Sequence, residues 1–435
     1  MPPRADTAAE GPAAHGVPTL GVEEEFFLLR RDGTPAPTAP DVLADLAGVK
    51  QVHHEWTHCQ VEVVSDPALR LATLAGELVE RRAEVGRTAI AHDCLLVAAG
   101  TPPRAVPLDM PVSDDPRYAR LVERYGRQGV RRTTCACHVH VAVPTRDLGV
   151  TVLNRIRGWL PVLLAVGANS PLWEGEDTGW HSYRHVVQAE WPSATVPPLV
   201  ADAAAYDVAL RSTVGAGAAL DVGGVYWLAR LSSRYPTVEV RVADTGLTVA
   251  DTVLTAALCR ALVMTALEDP SFGSPRQGSL SEDDLALSMS TAAEQGLRGM
   301  LLDPEAGSVT VGGLVLHRLV QRLTPALTRA GDLAAFETLL RHRLRQRSGA
   351  SRQLGMRKRL GPVDFVSAMA DATLPRQSQD LARASSSVPG QRAAKRTPRR
   401  SPRPSAAGRA QGRVRGVGDV VDVPVSYTHL TLPTN

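Results

Sequence analysis

The sequence predicts an α+β protein whose helices back a charged, concave sheet. Two observations predict the layers: short runs with the two-residue alternation of strands, and longer stretches with apolar residues at helical spacing between them. A third predicts the charge. Four strand-like runs carry ionisable groups where a half-buried strand favours neutral side chains: Glu23 and Glu25, Glu62, His138 and His140, and Glu239 with Arg241. Four such runs point to one shared polar face.

The first strand begins at Thr19 and runs through Gly21-Val22-Glu23-Glu24-Glu25-Phe26-Phe27-Leu28-Leu29 to a turn at Arg31-Asp32-Gly33-Thr34-Pro35. Side chains alternate along it, so Glu23 and Glu25 share a face and Glu24 takes the other. Like charges on one face repel unless that face is wet or holds a cation, and a hard cation such as Mg²⁺ turns the repulsion into binding. Glu24, facing away, is expected to matter less. A second strand, Gln60–Val64, ends at Ser65-Asp66-Pro67, which reads as an N-cap and a first-turn proline for a helix over 67–93. Cys94–Ala99 reads as a buried strand, Asp115-Pro116 opens another helix, and Thr134–Val143 alternates as a strand. A helix over 150–168, a loop rich in Trp, Gly and Pro over 169–200, a strand over 238–242 and a helix over 249–267 come next. Helices over 282–301, 310–330 and 331–346 complete the ordered part.

Composition places one domain over 18–375. Residues 1–17 are small and Pro-rich, and from 376 the chain turns to Arg, Ser, Pro and Ala, so both ends are expected to be disordered. The last stretch, 426–435, changes composition again and reads as an extension foreign to the rest. The net charge of +3 hides an asymmetry: residues 376–435 hold eleven Arg/Lys and three Asp, leaving 37 basic against 42 acidic residues elsewhere. A mildly acidic body with a basic tail is not the pattern of a nucleic-acid binder. Five scattered cysteines suit reduced thiols rather than a disulfide framework. The N-terminus lacks an apolar signal segment, and the apolar stretches 158–168 and 252–267 are short or interrupted by Arg260. A soluble, cytoplasmic protein with no membrane partner is expected.

Within Cys135-Ala136-Cys137-His138-Val139-His140-Val141 the histidines share one face and the cysteines the other, which argues against a single Cys/His zinc site. The histidines alone fit core or surface positions as well as ligands for a cation or phosphate. Glu239-Val240-Arg241 fits a cross-strand ion pair, or a metal-holding carboxylate beside a guanidinium that forks onto a phosphate oxygen. The sequence has no G-x-x-x-x-G-K-[ST] loop, dinucleotide fingerprint or G-x-S-x-G elbow, so any ATP must be held by metal ions and arginines. His54-Glu55-Trp56-Thr57-His58 matches H-E-x-x-H, with Glu77 downstream, and supplies a zinc metalloprotease as the competing reading. It abuts the strand Gln60–Val64, which leaves little room for the helix that motif needs.

Taken in order, Leu20–Phe26, Gln60–Val63, Cys135–Val143, Ala168-Asn169-Ser170-Pro171-Leu172-Trp173, Asp177–Arg184 and Arg234–Asp244 resemble the glutamate–cysteine ligase type 2 family of carboxylate–amine ligases, over residues 19–360. The resemblance implies a fold similar to the catalytic domain of glutamine synthetase: a curved, mainly antiparallel sheet backed by helices, with the active site on its concave face. It implies ATP-dependent joining of the L-glutamate γ-carboxylate to an amine, nominally L-cysteine, through a γ-glutamyl phosphate, with ATP and Mg²⁺ required and a homo-oligomer left open. By position in the family's pattern, Glu23, Glu25, Glu62, His138 and Glu239 are implied metal ligands and Arg241 the phosphate clamp. His140 becomes a neighbouring catalytic or substrate contact, and Arg184 and Arg234 binders of ATP phosphates or of the amino-acid carboxylate. Ser65-Asp66-Pro67-Ala68-Leu69, His181 and His185 depart from the pattern and bear on which amine is accepted. A relative that binds ligands without turnover is the remaining alternative.

Overall fold

The strand predicted from Thr19 is β1, Leu20–Leu29, inside a seven-stranded sheet in the computed structural model, which describes residues 16–273 and 281–374. The strands that follow are β2 (Val52–His54), β3 (Gln60–Val64), β4 (Leu95–Val97), β5 (Ala136–Ala142), β6 (Leu172–Trp173), β7 (Glu176–Asp177), β8 (Ala229–Leu231) and β9 (Thr237–Asp244). The large sheet runs β2-β3-β1-β5-β9-β8, with β4 pairing to the far end of β1, and every pairing is antiparallel. Strands β6 and β7 form a separate ribbon, as do β10 (Met300–Asp303) and β11 (Ser308–Val311). The α+β expectation holds.

One face of the sheet is apolar. Leu20 and Val22 of β1, Val139 and Val141 of β5 and Val238 and Val240 of β9 share a core with Leu74 and Leu78 of the helix Leu71–Ala91 and with the buried helix Val249–Glu268. Further along β1, Phe26 and Leu28 pack on Val85 and Ala89, while Phe27 and Leu29 pack on Val97, Phe365 and Met369 on the opposite side. That end of the strand is covered on both faces, which explains the unbroken Phe-Phe-Leu-Leu run. Only the Glu23–Glu25 stretch is left to line an open face.

The segments Arg146–Gly167 and Val249–Glu268 are long and apolar enough to cross a membrane, contrary to the length argument above, but 83% and 89% of their apolar windows are buried inside the fold. They are core helices. Arg260, within the second, is fully buried, paired with Asp332 and bonded to the Leu69 carbonyl at 2.6 Å.

Three local expectations are corrected. Ser65-Asp66-Pro67 does not cap a helix: Ser65 Oγ accepts from the Val22 N–H at 2.9 Å, Ala68 bridges to Leu20, and the helix begins at Leu71. The sheet claims those residues first. The stretch 169–200 holds the β6–β7 ribbon and a helix, Tyr183–Gln188. The helix expected over 282–301 ends at Gln295, where Gly296 takes φ 59°, a conformation costly for other residues, and the chain turns into β10. The expected disorder over 1–17 and 376–435 falls, Gly16 and Val17 aside, outside the described residues.

The expectation for Glu24 also fails. It does face away from Glu23 and Glu25, but into the core, where it is fully buried and forked by Arg82, with Nε to Oε2 at 3.0 Å and Nη2 on Oε1. Thr252 Oγ1 donates to the same carboxylate at 2.5 Å. The remaining Arg82 donors reach the carbonyls of Thr373 and Gly246 at 3.1 and 2.9 Å. Removing one partner of such a pair strands the other charge, so Glu24→Ala is expected to lose about 3–5 kcal/mol of stability in urea unfolding. Loss below about 1 kcal/mol would show that the pair is not an anchor.

Candidate active site

Strand register builds the polar face. Glu25 lies opposite Glu62, Glu62 opposite His53, and Glu23 opposite His138. Gly21, His140, Glu239 and Arg230 form one row across β1, β5, β9 and β8. Between the Val139–Val240 and Cys137–Ala243 pairs, β5 has one residue and β9 has two, Arg241 and Val242. This bulge brings Arg241 Nη1 to 3.5 Å from His138 Nδ1.

Glu23 is held from two sides, with His138 Nδ1 3.2 Å from Oε2 and His140 Nε2 3.2 Å from Oε1. The other nitrogen of His140, Nδ1, is 2.9 Å from Thr237 Oγ1, which fixes the ring. Glu239 is forked by Arg230, Nε to Oε2 at 2.9 Å and Nη2 to Oε1 at 3.2 Å, and paired with Arg241 through Oε1. Glu25 accepts from the Ala136 N–H at 2.7 Å and lies 3.8 Å from His138 Nε2. One ligand atom each from Glu23, His140 and Glu239 falls within a 4.8 Å cluster, the donor set and spacing of a metal site.

The carboxylates divide by charge state. Burial works against ionisation of Glu23, but the His138 and His140 rings set against it outweigh burial and hold its carboxyl well below the usual range. Burial likewise opposes ionisation of Glu239, and Arg241 and Arg230 overcome it. For Glu25 the balance goes the other way: burial and the nearby Glu55 push it up to about 8, against the smaller opposing pull of Arg184, the Ala136 N–H and Arg241. Glu62 is also raised well above the usual range, by burial and by Glu55, Glu23 and Glu25 together. His138 is pushed down to about 4 by burial and Arg241, so it meets Glu23 as a neutral imidazole. One half of the face is charge-balanced, and the other is short of positive charge.

The sequence-predicted residues do not all arrive. Glu23, Glu25, Glu62, His138, His140, Glu239 and Arg241 share the face, whereas Arg184 is fully buried, with Nη1 and Nη2 on the carbonyls of Val242 and Arg241 at 3.3 and 3.2 Å. It braces the bulge from within, and its charge acts on Glu25 from that buried position. Arg234 is exposed in the β8–β9 turn, close enough to His53 to help lower that ring's pKa after burial. His54 ends β2 and His58 sits in the following loop with no helix between them, so the zinc-protease geometry does not form. His181 contacts Arg298 and Ser348 rather than the polar face.

One residue was noticed for another reason and one was missed. Glu55 belongs to the face through its charge coupling to Glu25 and Glu62, and Tyr118 Oη donates to it at 2.9 Å. Arg230 looks like an ordinary strand residue in sequence, and only its place opposite Glu239 gives it meaning. At the end of β9, opposite Ala136, Asp244 accepts from the Asn169 N–H, Ser170 Oγ and Ser182 Oγ at 2.7, 2.7 and 2.8 Å. Three separated motifs thus meet at one buried carboxyl.

The fold is that of the glutamate–cysteine ligases. It matches the crystal structure of glutamate–cysteine ligase from Francisella tularensis in complex with AMP, with a TM-score of 0.63 at 14% identity over 85% of this chain and 91% of that one. A bifunctional glutathione synthetase from Pasteurella multocida matches with a TM-score of 0.61 at 16% identity, over 85% of this chain and 53% of that one. Sequence is more specific. The description Glutamate-cysteine ligase family 2 (GCS2) matches residues 19–380. A Mycobacterium sp. (strain KMS) protein, provisionally named glutamate–cysteine ligase 2-2, is 42% identical over 369 residues, 83% of this chain and all of its own. The chain belongs to glutamate–cysteine ligase family 2.

The raised carboxyls make stability pH-dependent. An unfolded glutamate loses its proton near 4.5, while folded Glu25 keeps it to about 8 and Glu62 is likewise raised well above its ordinary value. The folded state therefore binds more protons, and the contribution of these groups is fully present below about 4.5 and lost as pH rises towards 8. Chemical denaturation of the ion-free protein should show a steeper loss of stability over that window than a Glu25→Gln/Glu62→Gln variant. Equal slopes would refute the charge assignment.

Proposed function

We propose that the protein is an ATP- and Mg²⁺-dependent carboxylate–amine ligase that joins the γ-carboxylate of L-glutamate to an amine, nominally L-cysteine. The observation that carries this reading is the cluster of Glu23, His140 and Glu239 ligand atoms within 4.8 Å, set beside Glu25 and Glu62, whose carboxyls are raised by burial and by neighbouring acids. The residues fit the ion: most donors are carboxylate oxygens, as Mg²⁺ prefers, and two carboxyls lack the positive charge that ionisation requires. Glu23, His140, Glu239 and His138 would hold one ion, and Glu25, Glu62 and Glu55 a second. Bound there, Mg²⁺ supplies neutralisation of the phosphate oxygens of ATP.

The protein's own groups do the positioning. A carboxylate resists an amine until one oxygen becomes a better leaving group, and phosphoryl transfer from ATP would make it one as a γ-glutamyl phosphate. Arg241 engages Glu239 and His138 through Nη1 alone among the described residues, which leaves Nη2 and Nε to fork onto a phosphate oxygen. Arg230 keeps Glu239 ionised and fixed, with further bonds to the carbonyls of Gly223 and Val225 at 3.3 and 3.0 Å. Arg184 holds the backbone from which Arg241 projects. These contributions are orientation and charge placement, the main requirements of phosphoryl transfer.

ADP release measured with L-glutamate and a panel of amines tests the reading. Release that depends on at least one amine is expected, and none from any amine overturns it. Glu23→Ala and Glu25→Ala should each lower that release at least about 100-fold while the fold, followed by circular dichroism, persists. Near wild-type turnover in both would move the active site elsewhere.

A further inference from the structure

A cavity of about 220 Å³ lies between the helix Ala203–Gly215, the edge strand β8 and the turn that joins β8 to β9. Its walls include Arg146, Arg211 and Arg230, with Asp207 the one acidic side chain. Asp207 is spent on Arg146. Arg211 is exposed and has no hydrogen-bond or ion-pair partner among the described residues. The hydroxyls of the lining are turned the same way electrically. Tyr206 Oη accepts from the Leu231 N–H at 3.0 Å, and Ser232 Oγ accepts from the Arg234 and Tyr235 N–H groups at 3.2 and 3.3 Å. Each hydroxyl proton is thereby left to donate. The cavity thus offers guanidinium and hydroxyl donors, and its one acidic side chain is already used.

We propose that this cavity is a binding site for a small dianion, a dicarboxylate or phosphomonoester, separate from the catalytic face. Arg146 is shared with Asp207 and Arg230 with Glu239, which leaves Arg211 as the free guanidinium; a dianion can span it and a shared one, and the planar arginine fork suits both carboxylate and phosphate. The cavity is large enough for a short dicarboxylate or a phosphomonoester. Arg230 forms the wall shared with the catalytic face, since its Nε and Nη2 hold Glu239. An occupant drawing on Arg230 reaches a residue of the proposed ion site without entering it. That link rests on the ligase reading; the binding itself does not.

Calorimetric titration of the full chain with succinate and with inorganic phosphate tests the site, with acetate as the monoanion control. Saturable binding of at least one dianion is expected, with acetate weaker. The Arg146→Ala/Arg211→Ala variant should weaken it at least about tenfold, and Arg241→Ala, on the catalytic face, should leave it intact. Arg211→Glu, a single exposed change, supplies the same answer if the double variant fails to fold. Absence of saturable binding, equal binding of acetate, binding that survives the cavity variants, or loss only in Arg241→Ala overturns the proposal. Ligase turnover is not measured, so failure here is distinguishable from failure of the functional reading.

Discussion

The polar face depends on the register of β1. Because side chains alternate, a slip of one residue against β3 and β5 would send Glu23 and Glu25 into the helical core and Glu24 into the open face. Apolar packing of Val22, Phe26 and Leu28 opposes that slip, and the Glu24–Arg82 fork opposes it more sharply, since only one residue of β1 can meet the guanidinium. Arg82 also bonds carbonyls at Gly246, just after β9, and at Thr373, near the end of the described chain. A buried ion pair of this kind adds little net stability over an apolar substitute. Here its value lies in tying one register to three distant parts of the fold.

With the register set, the site is a compromise between two electrostatic demands. Glu23 and Glu239 are made permanent anions by imidazole and guanidinium neighbours, which suits ligands that must be ready. Glu25 and Glu62 sit among other acids and are unfavourable as anions until something positive joins them. The ion-free fold carries that frustration and is stabilised elsewhere, by the helical core and by the hydrogen-bonded hub at Asp244. Local instability at a site supported by a rigid surround is common where function needs a poised group.

Much of this was legible before any coordinates. Two-residue periodicity assigns Glu23, Glu25, His138, His140 and Glu239 to faces, because strand geometry leaves no other choice. Pairing partners are not encoded locally, so Arg230 stayed invisible until β8 lay beside β9. The bulge after Val240 likewise has no sequence mark, although it aims Arg241. At Arg184 a motif shows that an arginine is wanted, not whether its guanidinium faces a ligand or a carbonyl, and the structure shows two carbonyls. Ser65 was misread as a cap because a serine hydroxyl serves a helix end or a strand N–H equally well, and tertiary contact decides. Glu55 had drawn notice through a protease motif whose helix never forms, yet the acid itself matters.

The order of strands along the chain has a consequence for biosynthesis. Strand β1 must wait for β5, and β5 for β9, so the sheet closes through contacts between distant segments, the slow kind to form. Every acid of the face leaves the ribosome before Arg241 does, and Glu239 only two residues ahead of it. A nascent chain therefore meets the mutual repulsion of its carboxylates before the guanidinium that relieves it. Until β9 has emerged, Glu23, Glu25, Glu55 and Glu62 are like charges without Arg241 to offset them, and like-charge repulsion opposes bringing them together.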